Sequence, residues 1–322
     1  MCFLVYEPTI REVFCADFRD RIVQHFVYNE LNPVIEKVLI KDTCSCRLGK
    51  GTDYAIRRLG RFVRRETKNY TAQAYYLKLD LSGFFMSINR QKLLDMVMEL
   101  IRHKYRGQYK EVLEYLVPII ILSDVTSHAQ RICSPEEWKK LPARKTLFGN
   151  SNGMPIGNIC SQLFANLYLS PLDHLVKCSL GCSSYVRYVD DMAIIERSRS
   201  KLDDVLNRIE KFLPQYNMRI NRKKTYIKDI KYGVSFLGID VKPFYSIMSR
   251  RRINKLYKDG RTFLSAEEAY VRTSCRRGNF MRYHGRNIAM RWYGTLPENI
   301  KSDFKIQTDM KCHYLISDRR TV

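Results

Sequence analysis

Three carboxylates carry the first chemical signal. Asp190 and Asp191 stand side by side in "YVRYVDDMAII" (Tyr185 to Ile195), a run of strand-forming residues, and Asp80 ends a second apolar run, "YYLKLDL". Adjacent carboxylates on a half-buried strand lose hydration and repel each other, so they need a turn or a cation to relieve them. A hairpin with Val189-Asp190-Asp191-Met192 at its tip would serve, since Asp is a common turn residue. A hard divalent cation would serve as well. If the strand ending at Asp80 pairs beside the hairpin, three carboxylates converge on one sheet edge. Such a cluster can hold two Mg²⁺ ions that clamp the attacking and leaving oxygens of a phosphoryl transfer.

Strands and helices must bring those residues together. Tyr75 to Ile88 reads as a strand entering a turn, 185–195 as strand-turn-strand, and "VSFLGIDVKP" (Val234 to Pro243) as another strand pair. Apolar residues recur at helical spacing from about Asp20 to Val38 (Ile22, Val23, Phe26, Val27, Leu31),. Leu93 to Ile101 and Glu111 to Ile121 also look helical. "NICSQLFANLYLSPLDHLVK" from Asn158 does too, with Leu163, Phe164, Leu167 and Leu175 on one side. Lys201 to Leu213 is amphipathic through Leu202, Val205, Leu206, Ile209 and Phe212,. Residues 122–150 are polar and irregular, as a surface insertion would be. The order predicts an α+β fold, a small antiparallel sheet backed by helices.

The 322 residues, 45% of them apolar, suffice for a full core,. The net charge of +23, from 56 Lys and Arg against 33 Asp and Glu, implies a polyanionic partner, most simply nucleic acid held through its phosphates,. The basic residues gather in "IRRLGRFVRRETK" (Ile56 to Lys68), "NRKKTYIKDIK" (Asn221 to Lys231) and "SRRRINKLYKDGR" (Ser249 to Arg261). No apolar run reaches the length of a membrane span and no secretory signal opens the chain, so a cytoplasmic protein without a membrane partner is expected. The ten scattered cysteines suit a reducing compartment,.

The Tyr188-Val189-Asp190-Asp191 stretch resembles the Y-x-D-D box of reverse transcriptases, and Asp80 with Phe85 five positions on resembles the family's first catalytic Asp and its aromatic residue. "INRKKT" and "SFLGIDV" resemble the segments that follow. At the front, "REVFCADFRDRIVQHFV" (Arg11 to Val27) and "CSCRLGKGTDYAI" (Cys44 to Ile56) resemble the finger blocks of bacterial, group II intron-like enzymes. The resemblance implies a right-hand polymerase: fingers over 1–74, a palm over 75–243 with an insertion near 102–152, and a basic helical thumb over 244–322. Its activity would be RNA-directed DNA synthesis. Most of these enzymes have Pro-Gln-Gly where this chain has Pro155-Ile156-Gly157, followed by Ser161-Gln162. That form resembles the enzymes of diversity-generating retroelements, whose cDNA carries errors at template adenines and diversifies a target gene. Ile156 could instead simply fill a loop.

The resemblance also implies roles. Asp80, Asp190 and Asp191 would hold two Mg²⁺ ions, with Mn²⁺ as a substitute. Arg11 would contact the incoming deoxynucleoside triphosphate and Phe85 would exclude a ribose 2′-hydroxyl. Ile156 and Gly157 would line the nucleotide site, and Lys223 or its neighbour Lys224 would reach the pyrophosphate or primer. Tyr188 would lie under the primer terminus, while Arg250, Arg251 and Arg252 would grip the nucleic acid. Template RNA, primer and cDNA are the implied partners, together with a basic oligomeric accessory protein of the retroelement. Relatives usually carry some tens of residues before the first finger block, so either the start is placed late or a finger element is missing. The alternatives are a reverse transcriptase of another branch (phage defence, retron or group II intron-like) and a non-catalytic RNA-binding scaffold.

Overall fold

The computed structural model describes residues 1–6, 10–262, 265–283, 285–306 and 313–315. By internal contacts the chain divides into Met1–Lys228 and Asp229–Val322. In the first unit, β1 (Cys2–Val5) and β2 (Arg11–Phe14) form an antiparallel ribbon. Helix α1 (Phe18–Glu36) starts at Asp17, whose carboxylate accepts from the Arg19 N–H and satisfies one unpaired amide of the first turn,. It begins and ends two residues earlier than the expected helix. Its buried stripe is Gln24, Val27, Leu31 and Ile35, while Ile22 and Val23 are 56% and 38% exposed. Apolar spacing located the helix, but the stripe turned inward was set by what packs against it.

Helix α2 (Thr52–Glu66) leads into β3 (Tyr75–Asp80). A turn through left-handed Gly83 then opens the short α3 (Phe84–Ser87), followed by α4 (Arg90–Lys104) and α5 (Lys110–Leu122). The next residues are largely irregular, as expected, apart from the helical turn α6 (Pro135–Lys139) and a 3₁₀ turn at Ala143–Lys145. After them come α7 (Ile159–Tyr168), α8 (Ser170–His174), β4 (Tyr185–Tyr188), β5 (Asp191–Glu196), α9 (Arg199–Phe212) and β6 (Tyr226–Asp229). Helix α7 is buried nearly all round, so it forms the middle of the unit,.

The strands form one sheet in the order β4-β5-β3-β6. Strand β5 is antiparallel to both neighbours, with Tyr75 opposite Glu196 and Asp80 opposite Asp191. Side chains alternate across a strand. Leu77, Leu79, Met192 and Ile194 therefore share one face, where they join residues of α1, α4, α7 and α9 in the main core. Lys78, Asp80 and Asp191 fall on the other face. The expected sheet backed by helices is present, and the backing is what leaves the carboxylate face available.

The second unit opens with an antiparallel meander, β7 (Val234–Phe236), β8 (Ile239–Lys242) and β9 (Tyr245–Met248). Helices α10 (Arg250–Gly260), α11 (Ala266–Phe280), α12 (Gly285–Gly294) and α13 (Glu298–Asp303) follow, then a short pair, β10 (Phe304–Ile306) with β11 (His313–Leu315). The strand pair at 234–242 thus groups with the C-terminal helices. In the aromatic stretch around 279–294, Phe280 and Trp292 are buried with ring centroids 5.6 Å apart, so these rings pack a core. Among the described residues, no helix is long and apolar enough to cross a membrane.

Candidate active site

The β4–β5 hairpin turns through Val189 and Asp190, and β3 delivers Asp80 directly opposite Asp191. Asp80 is 4% exposed. Its Oδ2 accepts from Asn221 Nδ2 at 2.9 Å and its Oδ1 from Lys224 Nζ at 3.1 Å. Backbone bonds stitch the segment after α9 to the end of β3, with Asn221 N–H donating to Asp80 O and Ser82 N–H to Arg219 O. Asp191 lies 3.6 Å from Lys78 Nζ. Burial, then the charges of Asp191 and Asp80, push Asp190 up to about 6. Burial also raises Asp191, with Lys78 opposing it.

These groups suit a hard cation. All the donors are oxygens, and Asp190 holds its proton tightly because burial, and then the charges of Asp191 and Asp80, disfavour its ionised form,. Among the described residues, no three His, Cys, Asp or Glu side chains already enclose a metal position. Mg²⁺ does not require such a cage, because it keeps several waters and takes one or two carboxylates plus substrate phosphates. Asp80, Asp190 and Asp191 are the residues that would hold it.

The turn is strained and has dedicated support. Val189 has φ of 56°, a left-handed conformation rare for a β-branched residue,. Its N–H donates to Ser45 Oγ at 3.0 Å and its carbonyl accepts from Arg187 Nη1 at 3.2 Å. Arg187 is fully buried and spends all five N–H donors,. Nε and Nη2 reach the two oxygens of Asp173 at 2.8 and 2.7 Å. Nη1 also donates to Asn166 Oδ1, and Nη2 to Asn166 O. Asp173 accepts in addition from Thr43 Oγ1 and Tyr185 OH. Backbone bonds run from Arg187 N–H to Asp42 O and from Cys44 N–H to Arg187 O, so residues 42–45 lie along the outer edge of β4. The sequence reading passed over this cluster. Its signal was Arg187 in a run of apolar strand residues, on the same side of the strand as Tyr185. Lys78, two residues before Asp80, carries the same signal and was also passed over.

The remaining predicted residues occupy several places. Phe84 is core, and Phe85 is half-buried beside it with ring centroids 5.1 Å apart. Phe85 O accepts from Met154 N–H, and Ile156 O accepts from Phe14 N–H. The 153–157 loop is thereby tied both to the turn after Asp80 and to β2. Ile156 packs in part against the cluster of Cys2, Phe14, Met86 and Leu147, so part of its side chain does fill a loop. Gly157 has φ of +123°, and a Cβ there would sit 2.3 Å from Phe14 O. Gly157→Ala is expected to cost at least about 2 kcal/mol by forcing the loop off β2, measurable as a lowered urea midpoint. Arg11 is exposed on β2 and Tyr188 half-exposed at the end of β4. Lys223 is exposed, and its neighbour Lys224 is the one paired with Asp80. Arg250, Arg251 and Arg252 are exposed on the first turn of α10, in the second unit.

Residues 7–241 match the reverse transcriptase (RNA-dependent DNA polymerase) family, and the chain belongs to it. A 60-residue stretch is 47% identical to an intron 2 protein of COX1/OXI3 from Saccharomyces cerevisiae, covering 18% of this chain and 7% of that protein. The fold is similar to that of apo telomerase from Candida tropicalis. A form truncated from the C-terminal domain superposes with a TM-score of 0.52 at 14% identity, over 77% of this chain and 54% of that one. A second apo structure gives 0.50 at 13% identity, over 85% and 43%. The chain thus spans about half the length of these structural relatives, and the shared architecture is that of a right-hand polymerase.

Proposed function

We propose that the chain synthesises DNA on an RNA template by nucleotidyl transfer at Asp80, Asp190 and Asp191. The observation that carries this is the β3–β5 register, which sets Asp80 opposite Asp191 in a chain of this family. When bound, Mg²⁺ would lower the pKa of the primer 3′-hydroxyl and stabilise charge developing on the transferred phosphate. The protein's own groups orient and balance that charge. Lys78 and Lys224 offset part of the carboxylates' charge in the resting chain, at Asp191 and Asp80. Lys224 has an exposed side chain able to leave Asp80 for the departing pyrophosphate, which favours it over Lys223. Phe85, half-buried beside Phe84, would exclude a ribose 2′-hydroxyl. Arg11 offers a fork to triphosphate oxygens. Tyr188 lies beside the turn and would take the primer end, and exposed Arg250 and Arg251 would meet a phosphate backbone, joined by Arg252, whose Nη1 now donates to Leu237 O.

The finer reading, a retroelement enzyme making adenine-mutagenised cDNA with a basic oligomeric accessory protein, rests on Ile156. An aliphatic side chain beside Gly157 cannot offer the hydrogen bonds an amide would give a nascent pair, and fidelity is a difference in transition-state contacts. The test is to sequence DNA made from a defined RNA with four deoxynucleotides and Mg²⁺, with and without such a partner. Substitutions concentrated at template adenines are expected. Faithful products would remove the mutagenic role and favour another branch of the family. Tight RNA binding with no DNA product under any condition would favour the scaffold.

A further inference from the structure

We propose that α2 carries a second contact for nucleic acid, a ridge of Arg57, Arg61 and Arg64 that tracks the phosphate backbone of an RNA strand outside the carboxylate site. The proposal deepens the polymerase reading and rests on it for the identity of the polyanion. The helix sorts its five arginines into two sets. Arg58 turns inward to Asp42 at 2.6 Å, and Arg65 is held by Glu66 and by the hydroxyls of Ser183 and Ser184. Arg57, Arg61 and Arg64 are exposed and take no hydrogen-bond or ion-pair partner among the described residues. They fall at i, i+4 and i+7, which is one face of the helix, with exposed Lys68 just past its end,.

Helix stability does not account for this row. Like charges at these spacings cost a few tenths of a kcal/mol each. The helix dipole favours cations only in the last turn, which covers Arg64 but leaves Arg57 and Arg61 unexplained. Glu66, near the end of the row, is already engaged by Arg65, Arg197 and Ser184, and Asp53 stands one turn before Arg57, at the start of the helix. A solvated face would mix the two signs along its length, whereas from Arg57 to Arg64 this one presents a single sign over about 10 Å,. Opposite the row, Ile56, Leu59, Phe62 and Val63 are buried, and α2 packs against β4 and β5, the strands that flank Asp190. The ridge is therefore fixed to the catalytic sheet, about one helix diameter away. A strand threading past the carboxylates can continue onto it.

The test is fluorescence anisotropy on a labelled RNA of about 30 nucleotides, titrated between about 50 and 200 mM salt. Arg57→Gln/Arg61→Gln/Arg64→Gln is compared with Arg199→Gln/Arg208→Gln/Lys211→Gln, which removes the same net charge from α9. Three single-strand phosphate contacts contribute about 2 to the logarithmic salt slope, so wild-type affinity should fall about 20-fold more than that of the ridge variant over this range. The α9 variant should retain the wild-type slope. Equal slope losses in both variants, or none in the ridge variant, overturn the proposal. Arg61→Glu alone, with an unchanged melting curve, should weaken binding in the same direction, and a failure to do so would also count against the ridge. Extension of a short annealed primer at saturating protein should survive in the ridge variant. If wild-type protein extends no primer while the ridge still sets the salt slope, the polymerase reading fails and the ridge stands.

Discussion

Asp190→Asn should lower primer extension by about 10³-fold or more while making the metal-free protein more stable at neutral pH. The loss follows from removing one charged oxygen ligand where charge develops, an effect worth several kcal/mol at about 1.4 kcal/mol per tenfold in rate. The gain follows from the proton. In the fold Asp190 titrates near 6 rather than near 4, because it is half-buried, and then because it lies near the charges of Asp191 and Asp80. The folded chain then binds that proton more tightly than the unfolded chain does. With respect to this group, stability is highest below about pH 4 and falls as pH rises through 6. Above that, the ionised carboxylate costs up to about 3 kcal/mol, less whatever solvent screening recovers. Asparagine has the same shape and no charge, so its advantage should appear at pH 8 and vanish near pH 4. Mg²⁺ held by the three carboxylates would compete with the proton, so it should raise the wild-type melting temperature at pH 8 far more than at pH 5, and do little for the variant. Melts at both pH values, with and without Mg²⁺, decide the matter. A variant that keeps its activity, or that melts below wild type at pH 8 without metal, would show that the three carboxylates are not an unbalanced metal site.

The second large effect lies behind the turn. Arg187→Met should destabilise the protein by about 3–5 kcal/mol, because it leaves the Asp173 carboxylate buried with only the Thr43 and Tyr185 hydroxyls,. Arg187→Met/Asp173→Leu should recover much of that loss, since replacing both members of a buried pair by apolar groups is often close to neutral. Activity should not recover with it. The double variant no longer donates to Val189 O or to Asn166, and these contacts hold the strained turn that presents Asp190. Misplacement of a reacting group by about 1 Å can cost about 10²-fold in rate. Urea melts and primer extension on the same samples separate the two effects. If the double variant is as active as wild type, the pair acts only as filling and the turn needs no such support.

The site residues differ in how legible they were. Asp190 and Asp191 could be read from the chain because adjacent charge in an apolar strand is costly, and Asp80 because it is a lone carboxylate ending another apolar strand. Strand alternation and helical spacing, both local periodicities, located the hairpin, β3, α1, α4, α5 and α9 to within a few residues, whereas the helical pattern from Asn158 breaks after Tyr168 into α7 and α8. Which stripe of α1 is buried was not local information, since a helix with apolar residues on several sides turns inward whichever side its neighbours cover. Likewise, nothing near Lys224 in the chain distinguishes it from Lys223, and the pairing with Asp80 arises because residues 219–221 run back along the end of β3. Arg187 needed partners from residues 42–45, Asn166 and Asp173. By itself, then, the amino-acid sequence determined the family, the three carboxylates and the elements that bear them. Only the tertiary structure decided which cations balance those carboxylates and which buried network holds their turn. Charge compensation depends on distances of a few ångströms between segments far apart in the chain, and no local pattern encodes those distances.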